Sequence, residues 1–258
     1  MRLMKRILSA AAVLALSASL LVGCSSGTAS SVPVSASSAA ESTVSSVEET
    51  ASSAVDENEA AAARLLNDLT GSYQELWPVI LADEYKQTWL DDCTALVGED
   101  NAEAAFEKLS SMVTGDVYGE DAVKAYANGG GAYFCGFTNS LAILTFDGET
   151  STISGTDKDG NVLFSHTYHY IGMEPVRGLY EFQSDDAGSG EFTYFFLAPD
   201  TSAETYHIEF RYGSDAEALS QYDTGEYAYW LASGISTDCD QTMIDNCIEL
   251  FCTENLAG

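Results

Sequence analysis

Leu141-Ala142-Ile143-Leu144-Thr145-Phe146, the turn Asp147-Gly148, Thr150-Ser151-Thr152-Ile153-Ser154, a second turn at Asp159-Gly160-Asn161, and Val162-Leu163-Phe164-Ser165-His166-Thr167-Tyr168-His169-Tyr170-Ile171 decide the fold. Side chains along these runs repeat with a period of two, and each run ends at residues that favour tight turns. They read as strands over 141–146, 150–154 and 162–171. The same pattern marks 132–137, 178–183, 191–197 and 206–212, set apart by Asp185-Asp186-Ala187-Gly188 and Pro199-Asp200. Short strands in succession, with no helix between them, predict an antiparallel meander that closes as a barrel or stacks as a sandwich.

Upstream the period is helical. Leu65, Leu66 and Leu69 lead into Thr70-Gly71-Ser72, and Tyr73, Leu76, Trp77 and Ile80 then recur at three and four. Asp83 is placed to cap a helix carrying Tyr85, Trp89 and Leu90, and 102–113 and 121–126 read as two more. Gly129-Gly130-Gly131 ends this part. Downstream of the strands, 215–221 and 240–251 are helical. The fold class is therefore α+β, with helices before and after a β meander, in one domain over 60–258.

What precedes that domain is of another kind. Arg2, Lys5 and Arg6 stand before an apolar run over 7–22, too short for a comfortable membrane span, which marks an export signal over 1–23. Leu21-Val22-Gly23-Cys24 resembles the lipobox of bacterial lipoproteins, which implies cleavage before Cys24, its lipidation, and anchoring on the outer face of the bacterial cytoplasmic membrane. Two or more acyl chains hold where one is marginal. Between 25 and 59 there are 12 Ser and 3 Thr, so 24–59 reads as the lipidated residue and a disordered tether.

The 258 residues carry 40 acids against 10 bases, a formal −30. Cleavage removes three of those bases and no acid, leaving 7 against 40, or −33. Such a surface repels phosphate backbones, which excludes nucleic acid as a partner, and it concentrates cations. Beyond Cys24 there are five cysteines, Cys93, Cys135, Cys239, Cys247 and Cys252, so at least one thiol is unpaired. Cys247 and Cys252 lie five apart on one helix and suit each other poorly. A bridge from Cys93 to the C-terminal helix is open.

No motif of catalysis is present, neither His-Glu-x-x-His nor Gly-x-Ser-x-Gly nor a phosphate-binding glycine loop, so nothing points to an enzyme. Asp157-Lys158-Asp159-Gly160-Asn161 has the alternating acids of a calcium loop, but its glycine is misplaced and the closing Glu is missing, which leaves a hairpin turn. Three histidines remain. His166 and His169 fall on opposite faces of one strand, and His207 shares a face with Thr205, Glu209 and Arg211.

Three stretches carry a resemblance. Gly71-Ser72-Tyr73-Gln74-Glu75-Leu76-Trp77-Pro78, Val176-Arg177-Gly178-Leu179-Tyr180-Glu181-Phe182, and Ala198-Pro199 followed by Tyr206-His207-Ile208-Glu209-Phe210-Arg211-Tyr212-Gly213 occur in the order of similar segments of the ZinT family. That resemblance implies an exported, zinc-binding, lipocalin-like barrel, in some members fused to the binding protein of a zinc-transport system. It also implies three histidine ligands, of which only one is kept: the first position falls on Phe195, the second on Thr205, and the third is His207. His166, from another strand, is expected to converge with His207 across the barrel mouth, with Glu209 or Glu204 adding oxygen. The functional expectation is a lipid-anchored domain that captures Zn2+ or another divalent ion through His207, His166 and Glu209. The alternative is a metal-free barrel that binds a small molecule or a protein.

Overall fold

The computed structural model describes residues 57–115, 117–130 and 133–257. The signal segment, Cys24 and all but the last residues of the expected tether lie outside them. The first described helix, α1, covers 57–68, so residues 57–59 of that tether are helical. Among the described residues no helix is long and apolar enough to cross a membrane.

Eight strands form one closed antiparallel barrel, each hydrogen-bonded to the next in sequence and the last to the first. They are β1 (Gly71–Glu75), β2 (Ile143–Asp147), β3 (Thr152–Thr156), β4 (Val162–Met173), β5 (Tyr180–Ser184), β6 (Tyr194–Leu197), β7 (Ile208–Gly213) and β8 (Ala232–Ser236). The barrel expectation holds, and closure leaves no unpaired sheet edge. Between β1 and β2 lie α2 (Leu76–Ile80), a 3-10 turn (Asp83–Tyr85), α3 (Lys86–Val97), α4 (Glu99–Val113) and α5 (Glu120–Ala127). Short α6 (Ser202–Thr205) and α7 (Ala216–Leu219) flank β7, and α8 (Gln241–Leu256) ends the chain.

Three differences from the sequence reading concern the barrel wall. Gly71–Glu75 is strand, not helix: Tyr73 points into the barrel and Ser72 Oγ meets Thr145 Oγ1 at 2.8 Å across the β1–β2 pair. The helical spacing of Tyr73 with Leu76, Trp77 and Ile80 arises where one inward strand residue precedes a one-turn helix. Second, within the expected strand 132–137, the described residues 133–137 are not a strand. The segment around Phe134 exchanges a few bonds with 229–233, such as Phe134 N to Tyr229 O at 2.8 Å, and departs because β1 and β7 already flank β8. Third, β8 is not legible because Ala232-Ser233-Gly234-Ile235-Ser236 lacks a clear alternation and holds one strong strand former, Ile235, among small residues. Gly234 permits it, since a Cβ there would stand 3.1 Å from Ile208 Cγ1.

Two cores result. Inside the barrel Phe146, Phe164, Phe182, Phe195, Phe210 and Tyr212 pack closely, with centroids 5.8 Å apart for Phe164 and Phe195, and 5.3 Å for Phe195 and Tyr212. Leu65 and Leu66 of α1, and Leu69 just after it, join that cluster. The second core lies where α2, α3, α4 and α8 cover the outer wall. Trp77, Trp89, Leu109, Ile244 and Ile248 meet there around Ile235 of β8. Burying each large apolar side chain contributes roughly 2–3 kcal/mol, and both cores hold the start of β7 in place.

Candidate metal centre

β7 alternates strictly. Ile208, Phe210 and Tyr212 face the barrel interior, so Glu209 and Arg211 face outward. Arg211 is fully buried all the same. Its guanidinium lies 4.3 Å from the Tyr222 ring and donates to the carbonyls of Leu219, Gln221 and Tyr227, which fastens the segment before β8 to the barrel wall. Burial pushes its pKa down, with the Tyr222 ring and hydroxyl opposing.

His207 precedes β7 directly, after Tyr206 has turned the chain through a left-handed conformation (φ 66°). Its Nδ1 stands 2.7 Å from the carbonyl oxygen of Thr205. A carbonyl only accepts, so Nδ1 carries the proton and Nε2 keeps a free lone pair. Nε2 faces Glu209 Oε1 at 4.0 Å. This is the orientation in which a backbone acceptor fixes a metal-ligating imidazole.

Glu209 and His207 open into a cavity of about 70 Å³, lined also by Leu76, Trp77 and Ile80 of α2 and by Cys247, Phe251 and Glu254 of α8. Burial raises the Glu254 carboxyl, the charge on His207 lowers it, and Glu209 and Asp200 raise it further. Two carboxylates and an imidazole thus feel one another across the cavity. Cys247 Sγ lies 3.9 Å from His207 on the Nδ1 side, and burial, then the charge of Glu254, pushes its thiol up to about 12, so it stays protonated. Among the described residues, no three His, Cys, Asp or Glu side chains stand arranged about a common metal position. The donors are gathered but not closed.

His166 is not among them. It lies on β4, opposite Ile153 of β3, with Nδ1 2.8 Å from Asp186. It shares the inward face of β4 with Phe164 and Tyr168. His207 precedes β7 and opens instead into the cavity that α2 and α8 cover outside the barrel. The expected convergence of His166 with His207 at one mouth therefore does not occur. His207 is on the outer wall and His166 on the inner face, so the barrel wall stands between them. Glu204 is also committed elsewhere, its carboxylate accepting from Thr201 N at 3.0 Å as the cap of α6.

Phe195, at the first ligand position implied by the resemblance, is wholly buried in the barrel core. At the second, the Thr205 hydroxyl donates to His207 O at 2.8 Å, so its backbone and side chain both brace His207. Glu254 went unread because the C-terminal helix was expected to stop at 251, whereas α8 runs to Leu256. Spacing puts Cys247 and Glu254 two turns apart on one face of that helix, but not against β7. The interior sought by the small-molecule alternative is filled by aromatic rings and closed against α1.

No protein-family model matches the chain, and no curated protein matches it. Among solved structures it is similar to the Zn(II)-bound ZinT-like domain of AdcA from Streptococcus pneumoniae, at 15% identity and a TM-score of 0.45, over 72% of this chain and 89% of that one. It is also similar to Zn(II)-bound AdcA from the same organism, at 14% identity and a TM-score of 0.43, over 70% of this chain and 34% of that one. The chain thus spans about a third of the AdcA chain.

Proposed function

We propose that this protein is an exported, lipid-anchored domain that captures a divalent metal ion, zinc, on the outer face of the cytoplasmic membrane, through His207 and Glu209. The observation that supports it is the locked imidazole: Nδ1 held by Thr205 O at 2.7 Å, with Nε2 presented to Glu209 beside Glu254. A nitrogen donor beside carboxylates suits a borderline ion such as zinc better than calcium or magnesium, which take oxygen. One imidazole and carboxylates that must still close in give a Kd in the micromolar range, roughly −8 kcal/mol. The acidic surface supplies the ion locally, and a metal-transport system that takes it up is the partner this implies.

Glu209→Gln raises the zinc Kd about tenfold, since it removes a charged donor and costs about 1.4 kcal/mol. Glu204→Gln leaves the Kd unchanged, because that carboxylate is held in the α6 cap. Equal losses in both variants, read by competition against a chelator of known affinity, would place the ion in the general acidic field instead. Because a cation in the cavity favours the ionised form of Glu254, zinc binding also expels protons and strengthens as pH rises.

Anchoring has its own test. Cys24→Ser abolishes incorporation of labelled palmitate and frees the protein from the membrane fraction. Equal labelling of both forms contradicts the anchor.

A further inference from the structure

Cys93 of α3 and Cys252 of α8 meet in the second core. Their sulfurs are 3.9 Å apart, both side chains are fully buried, and 159 residues separate them in sequence. The packing around them is fixed by neighbours. Trp89, one turn before Cys93, contacts Phe251, adjacent to Cys252, with centroids 5.9 Å apart. Sulfurs this close need only a small side-chain rotation to reach bonding distance, because the helices carrying them already set the approach. The outer edge of the same α3–α8 seam carries Asp91, Asp92, Asp245 and Glu249, whose like charges push the two helices apart.

We infer that Cys93 and Cys252 are joined by a disulfide that straps α8 to α3 once the chain leaves the cytoplasm. The inference does not rest on the metal reading, though it uses the export reading for its oxidising surroundings. The reaction is thiol–disulfide exchange. One cysteine thiolate attacks the disulfide of a dithiol–disulfide oxidoreductase, forming a mixed disulfide and expelling one thiolate of that partner. The second cysteine thiolate then attacks the chain-side sulfur of the mixed disulfide and expels the partner's other thiolate. The chain loses two electrons and two protons, and the partner's disulfide becomes a dithiol. Burial raises the Cys93 thiol in the folded protein, so exchange belongs to folding, while the seam is still open to solvent. Once the seam closes, the same burial keeps reductants out.

A long loop closed in this way restricts the unfolded chain strongly. It also fixes the last turns of α8, which carry Phe251 and Glu254 to the His207 cavity. The other described cysteines, Cys135, Cys239 and Cys247, remain thiols.

The test unfolds the full chain in reductant, refolds it in a buffer of reduced and oxidised glutathione, quenches it with an alkylating agent in denaturant, and maps the peptides. The expected result is one linked pair, Cys93 with Cys252, with Cys135, Cys239 and Cys247 alkylated. The oxidised protein melts about 10 °C above the same chain refolded in reductant. Cys93→Ser leaves Cys252 alkylated. Recovery of Cys93 and Cys252 as alkylated thiols, or of Cys93 joined to another cysteine, overturns the pairing, and equal melting temperatures overturn the strap.

Discussion

Trp89→Ala lowers the unfolding free energy by about 4–5 kcal/mol, enough to bring a domain of this size close to its stability limit. Trp89 is wholly buried and forms the hub of the second core, with its ring 5.7 Å from Phe106 and 5.9 Å from Phe251. Removing it opens a cavity between α3, α4 and α8. It also deprives the Ile80 carbonyl of the indole N–H that reaches it at 2.7 Å, and an unpaired buried acceptor adds about 1–3 kcal/mol. Urea unfolding followed by circular dichroism reads the effect as a fall in midpoint at nearly constant slope. Val162→Ala, at a side chain 70% exposed, changes the unfolding free energy by less than about 0.5 kcal/mol. A Trp89→Ala loss as small as that would mean that the helical layer does not stabilise the barrel.

The helices of that layer are legible in the sequence, since the expected 102–113, 121–126 and 240–251 fall on α4, α5 and α8. Six of the eight strands announce themselves, because hairpin turns such as Asp157 to Asn161 bound them. Asp157 accepts there from the amides of Asp159 and Asn161, at 2.9 and 2.8 Å. Those bonds to the ionised form hold its pKa below the usual carboxylate range, the Asn161 contacts contributing most. The two strands that close the barrel, β1 and β8, are legible only through their partners. Gly71–Glu75 flows into α2 without a turn, and Ala232–Ser236 is made mostly of small residues that let neighbouring chains approach.

The site was legible in type and not in place. His207 and Glu209 share one face two residues apart, and the structure keeps them together. His166 and His169 alternate on β4 as expected, yet no periodicity reports which residues of distant strands a closed barrel brings to one side of its wall. That depends on the register of strands far apart in sequence. Glu254 comes from the other end of the domain and depends on how α8 lies over β7, which sequence spacing does not encode.

His207→Ala carries the second large effect. Among the described residues that line the cavity, the imidazole is the only metal-ligating nitrogen, and its tautomer is set in advance by Thr205 O, so the ring itself needs no reordering on binding. Its loss leaves Glu209 and Glu254, which hold cations in the weak, salt-screened manner of surface carboxylates. Zinc affinity falls by at least about thirtyfold, roughly 2 kcal/mol. Thr205→Val spares the carbonyl that orients the ring and removes only the hydroxyl bond to His207 O, so its effect on zinc is small.

The most direct measurement is a calorimetric titration of the domain over residues 57–258, free of any histidine tag, in a chelator-buffered zinc series, for the wild type and His207→Ala. The proposed function predicts one site of micromolar affinity in the wild type, releasing protons as it fills, and in the variant only weak binding that disappears in about 0.5 M salt. Superimposable isotherms for the two proteins would contradict the metal centre at His207.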